Sequence, residues 1–178
     1  MRLHSRLSQR LTSLLVSLLI SSAVAGAPQA LTTPEAVAAQ LATANEQLLV
    51  MVPTVRSQVV AEALRQAAVE RGVRVFLLVS PEVVEEGGSF VPALAVLDGV
   101  KTRLALVDRA FIVADRGEGA FLLEGAVLGS SAQGFDARET YALRDAVTVS
   151  SRGRLFDDVW SAAPEYISLI ERMPYSSP

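Results

Sequence analysis

Cysteine is absent from this chain, and its one histidine, His4, stands almost at the start. Without thiols there are no disulfide staples, no zinc thiolate sites and no cysteine nucleophile. If the first residues are removed, imidazole goes with them, and any metal site would then need an all-oxygen ligand set. Basic residues are outnumbered, 16 against 19 acids, and all but Lys101 are arginine. That balance argues against bulk electrostatic capture of nucleic acid or of an anionic membrane.

Against those absences stands a distinctive beginning. Arg2, Arg6 and Arg10 precede an apolar run from Leu11 to Ile20, and small residues follow at Ala23 and Ala25. This is the pattern of a secretory signal peptide, with cleavage predicted after Ala25. The run is broken by Ser13 and Ser17, and it is short for a hydrocarbon core about 30 Å thick, so an uncleaved anchor is the weaker reading. Without a lipobox cysteine, lipid attachment is excluded. Removing residues 1–25 takes three arginines and no acid, which moves the net charge from −3 to −6. What remains is long enough for one domain with its own core.

The rest reads as alternating helices and strands. Thr33, Pro34 and Glu35 form a helix start, with Thr as N-cap and Pro at the first helical position, predicting a helix over 34–44. The continuous apolar run 47-QLLVMV-52 is strand-like and stops at Pro53. From Ser57 to Arg71, Val60, Ala63, Leu64, Ala67 and Ala68 follow helical spacing, and Gly72 sits where a C-terminal cap belongs. Then 73-VRVFLLV-79 gives a second apolar strand, so the three segments predict a right-handed βαβ unit in a parallel sheet. After a polar loop over 80–89, residues 90–97 make a short helix. Strands are predicted at 101–107, 110–114 and 120–128, the last two joined as a hairpin by the turn at Asp115 to Gly119. A short strand at 140–146 precedes a final helix capped by Ser150 or Ser151, with Leu155, Phe156, Val159 and Trp160 on its inner face. Pro164 is predicted to start or kink a further helical piece carrying Tyr166, Ile167 and Ile170 inward.

The order of these pieces, with 58-QVVAEALRQAAVERGVRVFLLVS-80, the strand pair, Gly129-Ser130 and 155-LFDDVW-160, resembles a single phospholipase D-like half domain. The resemblance covers about residues 45–163. It implies an α/β sandwich with a mixed, mostly parallel sheet flanked by helices. The corresponding division is a signal peptide over 1–25, an N-terminal segment with a short helix over 26–44, the phospholipase D-like domain over 45–173 and a disordered tail over 174–178.

That family carries H-x-K-x(4)-D on a strand and G-S-x-x-N soon after. Its His takes the phosphoryl group covalently, its Lys and Asn hold phosphoryl oxygens, and its Asp orients the His network. Placing the motif on Asp115 and Gly129-Ser130 puts Asp108 at the His position, Ala110 at the Lys position and Gln133 at the Asn position. The family nucleophile and its charge-stabilising partner are thus absent, and no catalytic residue is expected. Arg109, on the opposite face of a regular strand from 108 and 110, does not replace the lysine.

Ligand-binding candidates are therefore Asp108, Arg109, Ser130, Ser131 and Gln133, with the Gly-Ser turn as a phosphate cradle or as an ordinary turn. Arg103, Arg109 and Arg116 suggest an anion-binding face, weighed against a plain role in solubility. Asp108 and Asp115 are read as solvated hairpin acids rather than a metal pair. No metal and no cofactor is expected. The resemblance implies a homodimer, with a phosphate-containing or other anionic small ligand. Three functions follow: a non-catalytic phospholipase D-like binding or structural module, a hydrolase working through Asp108 or Ser130, and an unrelated periplasmic ligand-binding or assembly domain. The first is preferred because carboxylates are the only general bases left.

Overall fold

The computed structural model describes residues 27–84, 87–125 and 140–166. Its elements, in chain order, are β1 (Gln29–Ala30), α1 (Pro34–Leu41), β2 (Gln47–Met51), α2 (Gln58–Arg65), β3 (Arg74–Val79), α3 (Val91–Ala95), β4 (Val100–Leu104), β5 (Phe111–Ala114), β6 (Phe121–Glu124), β7 (Tyr141–Leu143) and α4 (Ala146–Ala162). The strands form one sheet in the order β1-β7-β6-β5-β2-β3-β4.

The alternation of side chains along each strand builds two cores. Leu48 and Val50 of β2, with Val75 and Leu77 of β3, face Leu41 of α1, Leu64 of α2 and Leu94 of α3. Leu49 and Met51, with Phe111, Val113 and Leu122, face Val149 and Phe156 of α4. Both faces of β2, β3 and β5 are covered, which is why those strands read as unbroken apolar runs rather than alternating ones. On the α4 side, Trp160 stacks on Phe156 at 5.5 Å between centroids and meets Phe76 edge-on at 5.4 Å.

Local chemistry sets the helix ends. Thr33 accepts from the Ala36 amide, and Ser57 from the Val60 amide. The guanidinium of Arg71 donates to the carbonyls of Leu41 and Ala42, closing the C-terminus of α1, where backbone acceptors otherwise lack partners. After Arg65 the second helix loosens into a π turn over Gln66–Glu70, and Gly72, at φ +69°, reverses the chain into β3. The predicted strand, helix and strand over 47–79 are thus in place, and β2 and β3 pair in parallel.

The sheet is mixed as expected, but its parallel part is confined to β2, β3 and β4. β5 runs antiparallel to β2 and to β6, and β7 antiparallel to β6. The cause lies in the connection 105–110. It must pass from β4 to the far side of β2, three strand spacings or about 14 Å. Six residues reach about 20 Å fully extended, which allows the crossing but no return to the other end of the sheet. β5 therefore starts at the end where β2, β3 and β4 finish, and must run back.

That crossing also shortens the predicted strands. Residues 105–107 are not strand: β4 ends at Leu104, and Leu106 is 81% exposed. The last helix begins well before Ser150, because Asp145 accepts from the backbone amide and the hydroxyl of Thr148 at 2.8 and 2.6 Å and so caps α4. Leu155, predicted inward, lies on the outer face with Val147.

No helix follows Pro164 within the described residues. Instead the chain runs extended along the free edge of β4: the Leu104 amide donates to the Pro164 carbonyl and the Tyr166 amide to the Thr102 carbonyl. Arg103 and Glu165 face each other in this bridge, and Arg103 lies 4.9 Å over Trp160. Tyr166 is buried as predicted, while Ile167 and Ile170 lie outside the described residues.

Candidate functional site

The carboxyl ends of parallel strands are where α/β sheets gather ligands, and two of the motif positions, Asp108 and Ala110, fall at that end. Asp108 and Arg109 form an exposed bend in the loop that crosses it. Strand alternation does not govern them, because β5 begins only at Phe111; the expected opposition of Arg109 to Asp108 and Ala110 is thereby replaced by a turn. Ala110, at the lysine position, is half-buried against the core, and its carbonyl accepts from the Gly125 amide at 3.3 Å. Behind it, Glu124 of β6 receives Nε of Arg152 from α4 at 3.0 Å, and Arg152 also lies 5.9 Å over the ring of Phe111. No motif marks Glu124 in the sequence. Its partner had a signal, since Arg152 precedes Phe156 by one helical turn and so points toward the sheet.

Asp115 behaves differently from a solvated hairpin acid. It is 6% exposed and stands at φ +57°, at the opposite end of β5 from Asp108. Its carboxylate accepts from three successive backbone amides at the entry to β2: Asn45 at 3.0 Å, Glu46 at 2.8 Å and Gln47 at 3.0 Å. Its own amide donates to the Gln47 carbonyl at 2.9 Å. Asp tolerates the left-handed conformation better than most residues, and here that conformation aims the carboxylate at the neighbouring strand. The one position of H-x-K-x(4)-D filled by the family residue is thus occupied in joining β5 to β2.

Asp108 and Asp115 do not converge. Four strand residues at about 3.3 Å each separate their ends of β5, and no ligand could bridge them as a metal pair. Among the described residues no group of three or more acidic or histidine side chains could hold a metal ion. The three arginines weighed as an anion-binding face are likewise dispersed. Arg103 packs on Trp160 at the sheet edge, Arg109 is exposed at the carboxyl end, and Arg116 makes a two-pronged pair with Asp157 at 2.8 and 2.5 Å. Ser130, Ser131 and Gln133 lie outside the described residues.

Sheet order, the two helical layers and the central antiparallel β5 define a phospholipase D-like fold. The structure is similar to NucT from Helicobacter pylori, with a TM-score of 0.64 at 14% identity, covering 74% of this chain and 89% of that one. It is similar also to Nuc from Salmonella typhimurium, a phospholipase D family member, with a TM-score of 0.58 at 15% identity and the same coverage. A third likeness, TM-score 0.50 at 16% identity, is to TrmBL2, an archaeal chromatin protein with a novel mode of DNA binding, of which 52% is covered. No family model and no curated protein matches the sequence.

Proposed function

We propose that this protein is an exported phospholipase D-like domain that does not catalyse phosphoryl transfer and acts as a binding or structural module. The observation that carries the reading is the chemistry at two positions: an exposed carboxylate, Asp108, where the family has its phosphoryl-accepting imidazole, and a methyl group, Ala110, where it has its lysine. A carboxylate there repels a phosphodiester, by about 4 kcal/mol for unit charges at 4 Å and intermediate dielectric and by less in the solvent that bathes this bend. An alanine offers no compensating charge. Loss of a single charge-stabilising donor costs about 100-fold to 1,000-fold in rate, so removal of nucleophile and donor together leaves no route to the covalent intermediate.

Export is supported by the arginine-led apolar segment before Ala25, and with that segment removed no imidazole remains in the chain. Pairing into a homodimer, and an anionic small ligand near Asp108, Arg109 and the Ser130–Gln133 stretch, rest on the family resemblance.

The test uses the processed chain, residues 26–178, with bis(4-nitrophenyl) phosphate as substrate. No release of nitrophenolate above the buffer rate is expected. Turnover that disappears on Asp108→Asn would overturn the reading, as would a phosphorylated residue trapped by acid quench. Sedimentation of the same material checks the dimer.

A further inference from the structure

At the end of β5 remote from Asp108 and Ala110, the hairpin turn from Asp115 and the first turns of α4 enclose a cleft of about 370 Å³. Its floor is apolar, with Val113 and Val149 buried, and three guanidinium groups surround it, those of Arg116, Arg144 and Arg154. Three of the acids nearby are already engaged. Asp115 holds the amides of β2, Asp157 pairs with Arg116, and Asp145 caps α4 through Thr148. Glu118, on the turn itself, is exposed and has no cationic partner among the described residues.

Two of the three arginines are free of acids among those residues. Arg144 is steadied without neutralisation, with Nη1 3.4 Å from the Gly119 carbonyl and its guanidinium 5.5 Å over the Phe121 ring. Arg154 makes no hydrogen bond or ion pair with any described residue, and lies one helical turn beyond Ser150, which also lines the cleft. Like charges gathered round a concavity raise the local concentration of an oppositely charged ligand.

The glycine at position 153 adds an independent observation. Gly is among the poorest helix formers, yet Gly153 stands in the interior of the seventeen-residue α4. It is buried, and a Cβ built there meets no atom within 4 Å beyond its own helix backbone. No close packing among described residues requires the missing side chain. What its absence does is keep the cleft open.

From these features we propose that the cleft is a binding site for a small organic dianion, a phosphate monoester with a compact apolar or ring body. The apolar part lies on Val113 and Val149, and the phosphate oxygens take hydrogen bonds from Arg144 and Arg154, which suit planar two-pronged recognition of such groups. The volume falls at the lower end of the range for small-molecule sites, about 300–1,000 Å³, which excludes long-chain ligands. The site lies at the opposite end of β5 from Asp108 and Ala110, so its fate does not depend on whether the domain lacks catalysis.

The experiment titrates phenyl phosphate into ¹⁵N-labelled processed protein at low ionic strength, with inorganic phosphate and benzyl alcohol as half-ligands. Saturable shifts are expected at the amides of Gly117, Gly119, Ser150 and Gly153, with phenyl phosphate binding more tightly than either half. Arg144→Gln and Arg154→Gln should each weaken it about fivefold to tenfold, the effect of one charge-assisted hydrogen bond at an exposed rim. Gly153→Leu should abolish it while the single Trp160 emission stays native, since leucine favours the helix and fills the space. Non-saturable shifts, shifts confined to residues 105–110 and 124–125, or affinity unchanged in these variants would each overturn the proposal.

Discussion

Replacing Asp115 separates a structural role for this carboxylate from a catalytic one. Its three amide partners would ordinarily suggest about 1.5–3 kcal/mol each for hydrogen bonds to a charged group. That sum overstates the loss, because Asn45 and Glu46 are exposed and their amides can turn to water, whereas Gln47 is buried. One buried amide left unpaired costs about 1–3 kcal/mol, and the two that rehydrate about 1 kcal/mol each. Asp115→Ala should therefore destabilise by about 3–5 kcal/mol, with about 1 kcal/mol more for placing a Cβ-bearing residue without local hydrogen bonds at φ +57°. Asp115→Gly recovers that last part. Asp115→Asn keeps the conformation and one acceptor oxygen, and should cost about 1–2 kcal/mol. Urea unfolding followed by the lone Trp160 gives the three values directly, and for a domain of this size each kcal/mol lowers Tm by about 2–4 °C. An alanine variant within about 1 kcal/mol of wild type would refute the reasoning. So would an asparagine variant as unstable as alanine.

Two further outcomes follow from the α4 layer. The Asp145 carboxyl is held below its ordinary range, first by the Thr148 hydroxyl and then by the Thr148 backbone amide. A depressed carboxyl stabilises the fold above its unfolded pKa of about 3.9 and loses that contribution as pH falls through the folded value. The stability gap between wild type and Asp145→Ala measured by denaturation should thus be full at neutral pH and shrink under acid; a gap that widened under acid would remove the capping account. Phe156→Ala, which empties a fully buried site between Trp160 and the sheet, should cost about 3–5 kcal/mol, and Leu155→Ala, on the outer face, under about 1 kcal/mol, both read from urea midpoints.

Much of the architecture was legible because burial on both faces writes itself into composition. β2, β3 and β5 are unbroken apolar runs, and Thr33, Gly72 and Asp115 stand where a cap, a helix end and a turn require them. Leu106 misled for the same reason. Its apolar neighbours extend a strand pattern, but the chain there must cross the sheet end, and no local signal records that demand. The start of α4 was obscured by Val147, Thr148 and Val149, which favour strand intrinsically, until the Asp145 cap decided otherwise. Chemistry was legible only as identity. That Asp108 is not a histidine is plain from the sequence; that Asp115 is tied to amides some 70 positions earlier is a property of strand order alone. Arg144, Arg154 and Gly153 carried no motif, and came together through the hairpin and the helix that follows it.

The strip from Pro164 to Tyr166 lies along the outer rim of β4, where it occupies backbone groups that would otherwise be open to any extended polypeptide. Opposite, among the described residues the sheet ends in the two-residue β1, too brief a template to recruit another chain. Lateral growth into ribbons or fibrils by strand addition is thus discouraged on both flanks. Cutting the chain after Ala162 would unseal one flank, and concentrated solutions of such a truncation should cloud on standing while the full chain stays clear.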